Sequence, residues 1–159
     1  MAAPTEGWTR AIDVSAPAGL VFRWLQQLTI APYSYDWIDF RGRKSPHTLV
    51  EGLPELAVGQ PLLVFEIADF EPDTHLTGVL PPQLAEQHGQ MAVSYTLRPL
   101  DSGCRLVVKV VVEAKGSLAQ RLRRRFLAWG DVVMMRKQLL TLKKLAERDG
   151  VTNLPEQHT

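Results

Sequence analysis

Hydrophobic and polar residues alternate with a period of two in three stretches of the chain. Residues 8–14 form the first stretch, and residues 91–98 and 104–114 form the other two. A turn sequence, residues 100–103, separates the last two. In residues 104–114 leucine and valine occupy one face and charged residues occupy the other. The pattern predicts antiparallel strands with one buried side and one side in solvent.

The middle of the chain is predicted to contain three more short strands. They cover residues 47–50, 61–69 and 74–80, where apolar and β-branched residues are concentrated between turn residues. The sequence Glu-Pro-Asp at 71–73 indicates the turn before the third of them. Residues 81–90 begin with two prolines and are interpreted as a loop.

Two segments have helical spacing instead. Apolar residues recur every three or four positions within residues 20–28, after Ser15 as the expected N-cap and Pro17 in the first turn. A second short helical turn is expected within residues 31–40. The other segment, residues 117–148, lacks proline and predicts a helix roughly 45 Å long. Its apolar residues form one broad predicted face: Leu118, Leu122, Trp129, Val132, Val133, Leu139 and Leu140.

This order of elements predicts an α+β fold. A curved antiparallel sheet would wrap around the long C-terminal helix, with two short helices after the first strand. The absence of repeats and linkers indicates one domain over residues 1–150, followed by a flexible tail at 151–159. A long helix across a curved sheet does not pack at every point, so we expect a cavity between them.

The composition of the chain excludes several classes of protein. The chain is 45% hydrophobic with a formal net charge of +1, which excludes disorder for most of its length. No stretch reaches the roughly 18 apolar residues of a membrane span, so no integral membrane association is expected. The first residues do not resemble a signal peptide, and Cys104 has no second cysteine to pair with, so a cytoplasmic location is expected.

The charge is unevenly distributed. Residues 117–148 contain nine Lys or Arg and two acids, giving +7, while the rest contains nine Lys or Arg and fifteen acids, giving −6. The basic helix is either attracted to the acidic body or forms a docking surface for an anionic partner. A sequence pI of about 7.9 argues against nucleic acid as that partner.

Arg136 is the most unusual residue of the long helix. The helical wheel places it within the apolar face, between Val132, Val133, Leu139 and Leu140. A buried guanidinium needs a partner. Either it pairs with an acid such as Asp36 or Asp39, or its long stem reaches solvent, or it binds a carboxylate, phosphate or phenolate of a ligand.

Aromatic residues provide further candidates for a ligand site. Tyr33, Tyr35 and Trp37 form either a packing plug at one end of the sheet or the rim of a cavity. Other apolar candidates belong either to the core or to the cavity lining. They are Trp24, Phe65, Tyr95, Trp129 and Val133.

Candidates for chemistry are few. Glu66 and His75 are weak candidates for proton transfer, on the condition that their side chains point inward. Glu66 and Asp69 are expected on opposite faces of one strand. The four histidines and single cysteine lack the spacing of a metal site, and no phosphate-binding glycine loop occurs, so no metal or cofactor is expected.

Three segments resemble one superfamily. They are IDVSAPAGLVFRWL at the end of the first strand, APYSYDWIDF after the first helix, and GDVVMMRKQLLTLKKLAE in the last helix. With the element order, they resemble the START-like (SRPBCC) superfamily, which includes Bet v 1-like proteins and the polyketide cyclase/dehydrase group. The glycine-rich loop of plant Bet v 1 proteins is absent, which argues against a hormone ligand.

The resemblance implies a helix-grip fold and a cavity for a small hydrophobic molecule of lipid, polyketide or aromatic type. Binding or transport of such a molecule is the leading expectation, by a monomer or a homodimer. One alternative is a polyketide cyclase/dehydratase-type enzyme. Another is an interaction module that docks through the basic C-terminal helix. Fold alone does not choose among them.

Overall fold

A computed structural model describes the backbone of residues 5–33, 44–113 and 118–152. It also describes their side chains, except at residues 5, 87, 88 and 118–132. The strands are β1 (Thr5–Val14), β2 (Pro61–Leu62), β3 (Phe65–Glu71), β4 (His75–Val79), β5 (Met91–Leu100) and β6 (Gly103–Glu113). The helices are α1 (Ala18–Gln26), a 3-10 helix (Gln27–Thr29), α2 (Pro82–His88) and α3 (Leu118–Thr152).

The six strands form one antiparallel sheet in the order β1-β6-β5-β4-β3-β2. The alternation predicted for its long strands is confirmed. On β5 the residues Val93, Tyr95 and Leu97 are buried, and on β6 every second residue from Cys104 to Val112 is buried. The inner face packs against α3, so the chain has the predicted α+β helix-grip architecture.

The predicted strand at 47–50 is wrong. In this segment the Val50 N–H donates a hydrogen bond to Gln27 Oε1, and Gln27 Nε2 donates to the Thr48 carbonyl at 3.3 Å. The His47 carbonyl accepts a bond of 2.6 Å from Arg148. Backbone groups that would have joined a strand ladder are therefore satisfied by side chains of a helical turn and of α3.

The predicted single strand at 61–69 is two strands, β2 and β3, joined by a two-residue turn. Leu62 pairs with Phe65 across this hairpin, and Leu63 adopts a positive φ of 59°. Turns of this kind normally carry Gly or Asn, whereas this one carries Leu63 and Val64. The usual turn residues are missing, so the sequence contains no signal for it.

Two helix boundaries differ from the prediction. Residues 81–90 contain the helix α2, which has proline in its first turn, rather than a loop alone. The N-cap position of α1 is Pro17, not Ser15. The Ser15 N–H instead donates a hydrogen bond of 2.8 Å to Glu147 Oε1 on α3, so the start of α1 is fixed by a tertiary contact.

Helix α3 has 35 residues and extends through Val151 and Thr152, the first two residues of the predicted tail. Residues 153–159 of that tail lie outside the described residues, as does most of the helical turn expected within 31–40. The side of α3 that packs on the core carries Gln138, Leu139, Leu142, Leu145 and Ala146. In the described part of the chain, no helix is long and apolar enough to cross a membrane.

Candidate ligand-binding cavity

A cavity of about 370 Å³ lies between the inner face of the sheet, α3 and the segment that follows α1. This volume falls within the range of about 300–1,000 Å³ that is typical of small-molecule sites. The described residues that line it are Leu28, Thr29, Ile30, Ala31, Pro32, Leu63, Val64, Phe65, Val93, Tyr95, Val110, Met134, Met135 and Gln138.

The walls of the cavity are mainly apolar. Val93 and Val110 are cross-strand partners on β5 and β6, and both are almost fully buried. Met134 and Met135 approach from α3. Methionine is flexible and polarisable, so this wall can adapt to the shape of an apolar ligand.

Two polar side chains of the lining are joined to each other. The Tyr95 hydroxyl on β5 donates a hydrogen bond of 2.9 Å to Gln138 Oε1 on α3. Gln138 Nε2 in turn donates a bond of 2.7 Å to the carbonyl of Pro32, in the segment after α1. All three groups are buried, so this chain of bonds ties together the three structural elements that enclose the cavity.

A second buried polar cluster lies in the core near α1. Gln27 Nε2 donates a hydrogen bond to the Tyr33 hydroxyl, and the Tyr33 N–H donates one of 3.2 Å to Ser45 Oγ. The Tyr33 ring lies edge-on to Trp24, with 5.7 Å between ring centroids. Tyr33 is therefore a buried residue of the core.

The predicted lining residues fall into different environments. Phe65 and Tyr95 lie on the cavity wall, whereas Trp24 and Tyr33 are buried in the core without lining this cavity.

Val133 is 46% exposed, so its predicted burial is wrong. Tyr35 and Trp37 lie outside the described residues, and so does the side chain of Trp129.

Arg136 follows one of the alternatives considered for it, because its side chain reaches solvent. Its side chain is exposed, and it is not among the described residues that line the cavity. The inward side of α3 contains Met135, Gln138 and Leu142, and the helical wheel places Arg136 more than a quarter turn away from the centre of that side. The predicted apolar face had been centred about a third of a turn or more from the true inward face.

The two candidates for proton transfer lie on the outer face of the sheet. A register shift between Ile67 and Asp69 puts Glu66 and Asp69 on the same face, opposite Val79 and Thr77 of β4. The expectation that they lie on opposite faces is therefore wrong. His75 lies on this outer face too, where its Nε2 is 2.9 Å from Asp69 Oδ2.

Cys104 is fully buried on the inner face of β6. Burial, reinforced by the charge of Asp13, raises the pKa of its thiol. Within residues 5–33, 44–113 and 118–152, no group of three His, Cys, Asp or Glu side chains is arranged to hold a metal ion.

Sequence reasoning missed Gln138 and the turn residues Leu63 and Val64. Gln138 is the one polar residue on the inward side of α3 between Met135 and Leu142, and that position is a signal for a buried polar site. Leu63 and Val64 carried no signal, because they reach the cavity through a turn that the sequence does not indicate.

Comparison with known proteins identifies the fold. No protein-family model matches the sequence, and no curated protein matches it either. Solved structures do match, with sequence identities that show the fold alone. A Staphylococcus aureus protein of unknown function, SA2116, aligns with a TM-score of 0.55 at 9% identity, covering 89% of this chain and 96% of its own.

Two more solved structures extend the comparison. Protein MLL2253 from Mesorhizobium loti has a TM-score of 0.53 at 17% identity and covers 90% of this chain and 98% of its own. The AHSA1-like protein from Aeromonas hydrophila has a TM-score of 0.52 at 14% identity, with 96% and 100% covered. The chain therefore has the helix-grip fold that it shares with these solved structures.

Proposed function

We propose that this protein binds a small hydrophobic molecule, of lipid, polyketide or aromatic type, in the cavity between the sheet and α3. The observation that carries the proposal is the cavity itself, about 370 Å³ in volume. Concave, mainly apolar sites of this size with a few polar groups are typical of small-molecule binding.

The polar end of the ligand would meet Tyr95 and Gln138. These residues provide a hydroxyl and an amide on an otherwise apolar wall, and their mutual hydrogen bond fixes their positions. A few well-placed polar groups in an apolar site orient a ligand without demanding a charge on it. A neutral molecule with one carbonyl or hydroxyl group fits this arrangement.

The lining favours binding over catalysis by a cyclase/dehydratase mechanism. Among the described lining residues, Tyr95 is the one titratable side chain. His75 and Glu66, the candidates for proton transfer, lie on the opposite face of the sheet. General acid–base chemistry needs such groups within hydrogen-bond reach of the reacting atoms.

Native mass spectrometry of the freshly purified protein tests the proposal. We expect an added mass that leaves on denaturation and identifies the chemical class of the ligand. Binding of the apolar dye anilinonaphthalene sulfonate to protein stripped of that ligand provides a second readout.

A matched pair of variants locates the binding. Val110→Phe adds a ring inside the cavity, while Val111→Phe adds the same ring on the other face of β6, opposite Gly7. We expect Val110→Phe to lose the added mass and the dye, and Val111→Phe to keep both. Full binding by a folded Val110→Phe protein, checked by circular dichroism, contradicts the proposal.

A further inference from the structure

The outward side of α3 combines apolar and basic side chains. Val133 and Leu140 are 46% and 47% exposed, and Val151 near the end of the helix is 71% exposed. At 100° per residue these three positions lie within about 20° of one another on the helix surface. They form an apolar stripe that points away from the sheet.

Three cations flank or interrupt this stripe. Arg136, Lys137 and Lys144 are all exposed, and in the part of the chain that the structure describes none of them has an ion-pair partner. By contrast, Lys143 and Arg148 are paired with Glu147 and Asp149. We call the surface formed by Val133, Arg136, Lys137, Leu140, Lys144 and Val151 the α3 outer stripe.

The positive charge of the α3 outer stripe indicates which kind of partner it can bind. A second copy docking through the same face would bring like charges together, which is unfavourable. Nucleic acid would engage the cations but would leave the apolar residues without a role. A single helical ridge is also small compared with the surface of roughly 800 Å² per partner that a stable protein complex buries.

An anionic lipid surface is complementary to both the apolar and the basic residues of the α3 outer stripe. Helices that lie in a membrane interface bury an apolar stripe at the boundary of the acyl chains and place Lys and Arg among the headgroups. Such binding needs no complementary groove, so an exposed ridge suffices. With only three apolar residues, the attraction to anionic headgroups must supply most of the affinity.

The neighbouring cavity rim adds apolar surface. Ile30 and Val64 are 38% and 61% exposed, and they line the same cavity as Met134, the residue next to Val133 in α3. The cavity and the outer stripe thus meet α3 at neighbouring residues, Met134 and Val133.

We propose that the α3 outer stripe docks this protein reversibly on anionic lipid membranes. The docking surface is separate from the lining of the cavity, so the proposal stands or falls independently of whether the cavity holds a ligand.

Sedimentation with vesicles tests the docking. We expect the full chain to bind vesicles of phosphatidylcholine with about one quarter phosphatidylserine, and not vesicles of phosphatidylcholine alone. Binding should fall strongly when salt is raised from about 50 mM to about 500 mM, because the Debye length shortens. Failure to bind the anionic vesicles at low salt, or equal binding to both kinds, overturns the proposal.

A double variant tests whether the α3 outer stripe is the surface that contacts the vesicles. Each lysine near an anionic membrane contributes about a factor of five, so Lys137→Gln with Lys144→Gln should weaken partitioning roughly 25-fold. The control, Arg98→Gln with Lys109→Gln, removes the same charge from exposed residues on the outer face of the sheet. Equal losses in both double variants would show a non-specific charge effect and overturn the assignment.

The apolar part of the stripe has its own pair of variants. Leu140→Ser should weaken binding to anionic vesicles several-fold, whereas Val58→Ser, at a residue 69% exposed in a loop, should leave it unchanged. Unchanged binding by Leu140→Ser would show that only charge acts, and would overturn insertion of the stripe. Capture of an acidic protein by wild type without any vesicle binding would replace the lipid surface with a protein partner.

Discussion

The Tyr95 hydroxyl donates a hydrogen bond of 2.9 Å to Gln138 Oε1 and so joins the middle of the sheet to the middle of α3 beside the cavity. Gln138 extends this connection to the Pro32 carbonyl. One glutamine thus holds together two walls of the cavity and the segment after α1.

Gln138→Leu should lower the free energy of unfolding by about 1–3 kcal/mol, because the buried Pro32 carbonyl loses its hydrogen bond from Gln138. Urea denaturation followed by circular dichroism measures the change. Tyr95→Phe and the double variant complete a cycle, in which we expect a coupling energy of at least about 0.5 kcal/mol. Strict additivity of the two changes would show that the bond between the two side chains contributes nothing.

Gly78→Ala should disturb the cavity wall. A Cβ atom at Gly78 would lie 2.9 Å from Phe65 Cβ and 3.1 Å from Leu62 Cδ2, so the β2–β3 hairpin would have to shift. We expect a loss of about 1–3 kcal/mol of stability and altered dye binding, since Phe65 lines the cavity.

The matched control for that change is Gly7→Ala on β1. There the added Cβ would lie 3.4 Å from the Val110 carbonyl oxygen, which is an ordinary contact. Its effect should stay within about 0.5 kcal/mol. If both substitutions cost the same, close packing at Gly78 does not explain the result.

Leu142→Ala and Leu140→Ala test which face of α3 packs on the core. Leu142 is 0% exposed and Leu140 is 47% exposed, although they are two residues apart. We expect Leu142→Ala to cost about 2–5 kcal/mol and Leu140→Ala less than about 0.5 kcal/mol in chemical denaturation. The reverse ranking would mean that the helix is rotated.

Glu147 predicts a pH dependence of stability. Burial alone raises its pKa, but the hydrogen bond and charge of Lys143 and the hydrogen bond from the Ser15 N–H together hold the pKa of Glu147 below its usual value. A group with a lowered pKa in the folded state stabilises the protein above its unfolded pKa. That contribution is lost as the pH falls through the lowered value.

The measurement is urea denaturation of wild type and Glu147→Gln across the acidic range. We expect wild type to be more stable at neutral pH and the difference to shrink as Glu147 becomes protonated. Glu55→Gln, at an exposed residue of the loop before β2, serves as a carboxylate control. A difference that stays constant with pH would show that the charge of Glu147 has no part in joining α3 to the start of α1.

The order of the long elements and the alternation of β5 and β6 were readable from the sequence, because each of these strands has one solvent-exposed and one buried face. The period of two in residues such as Leu106, Val108 and Val110 reports that environment directly. The long helix was equally clear from its period and lack of proline. These local patterns, with the family resemblance, were enough to predict the helix-grip fold.

The local sequence pattern does not determine which face of α3 packs on the sheet. Its described half has apolar residues on both sides, with Leu139 and Leu142 buried but Val133 and Leu140 exposed. Periodicity finds an apolar face but does not say which of two faces meets the sheet. Packing against β1, β5 and α1 determines which face of α3 is buried. Arg136 lies on the other face and is exposed to solvent.

The sequence by itself determined the fold class and most of the strands, because a strand that is buried on one face alternates apolar and polar residues. Only the tertiary structure decided the wall of the cavity. Gln138 meets Tyr95 across 43 positions of sequence, and a register shift at Ala68 moves Asp69 to the face of Glu66. Such contacts depend on how distant segments pack, and no local pattern encodes them.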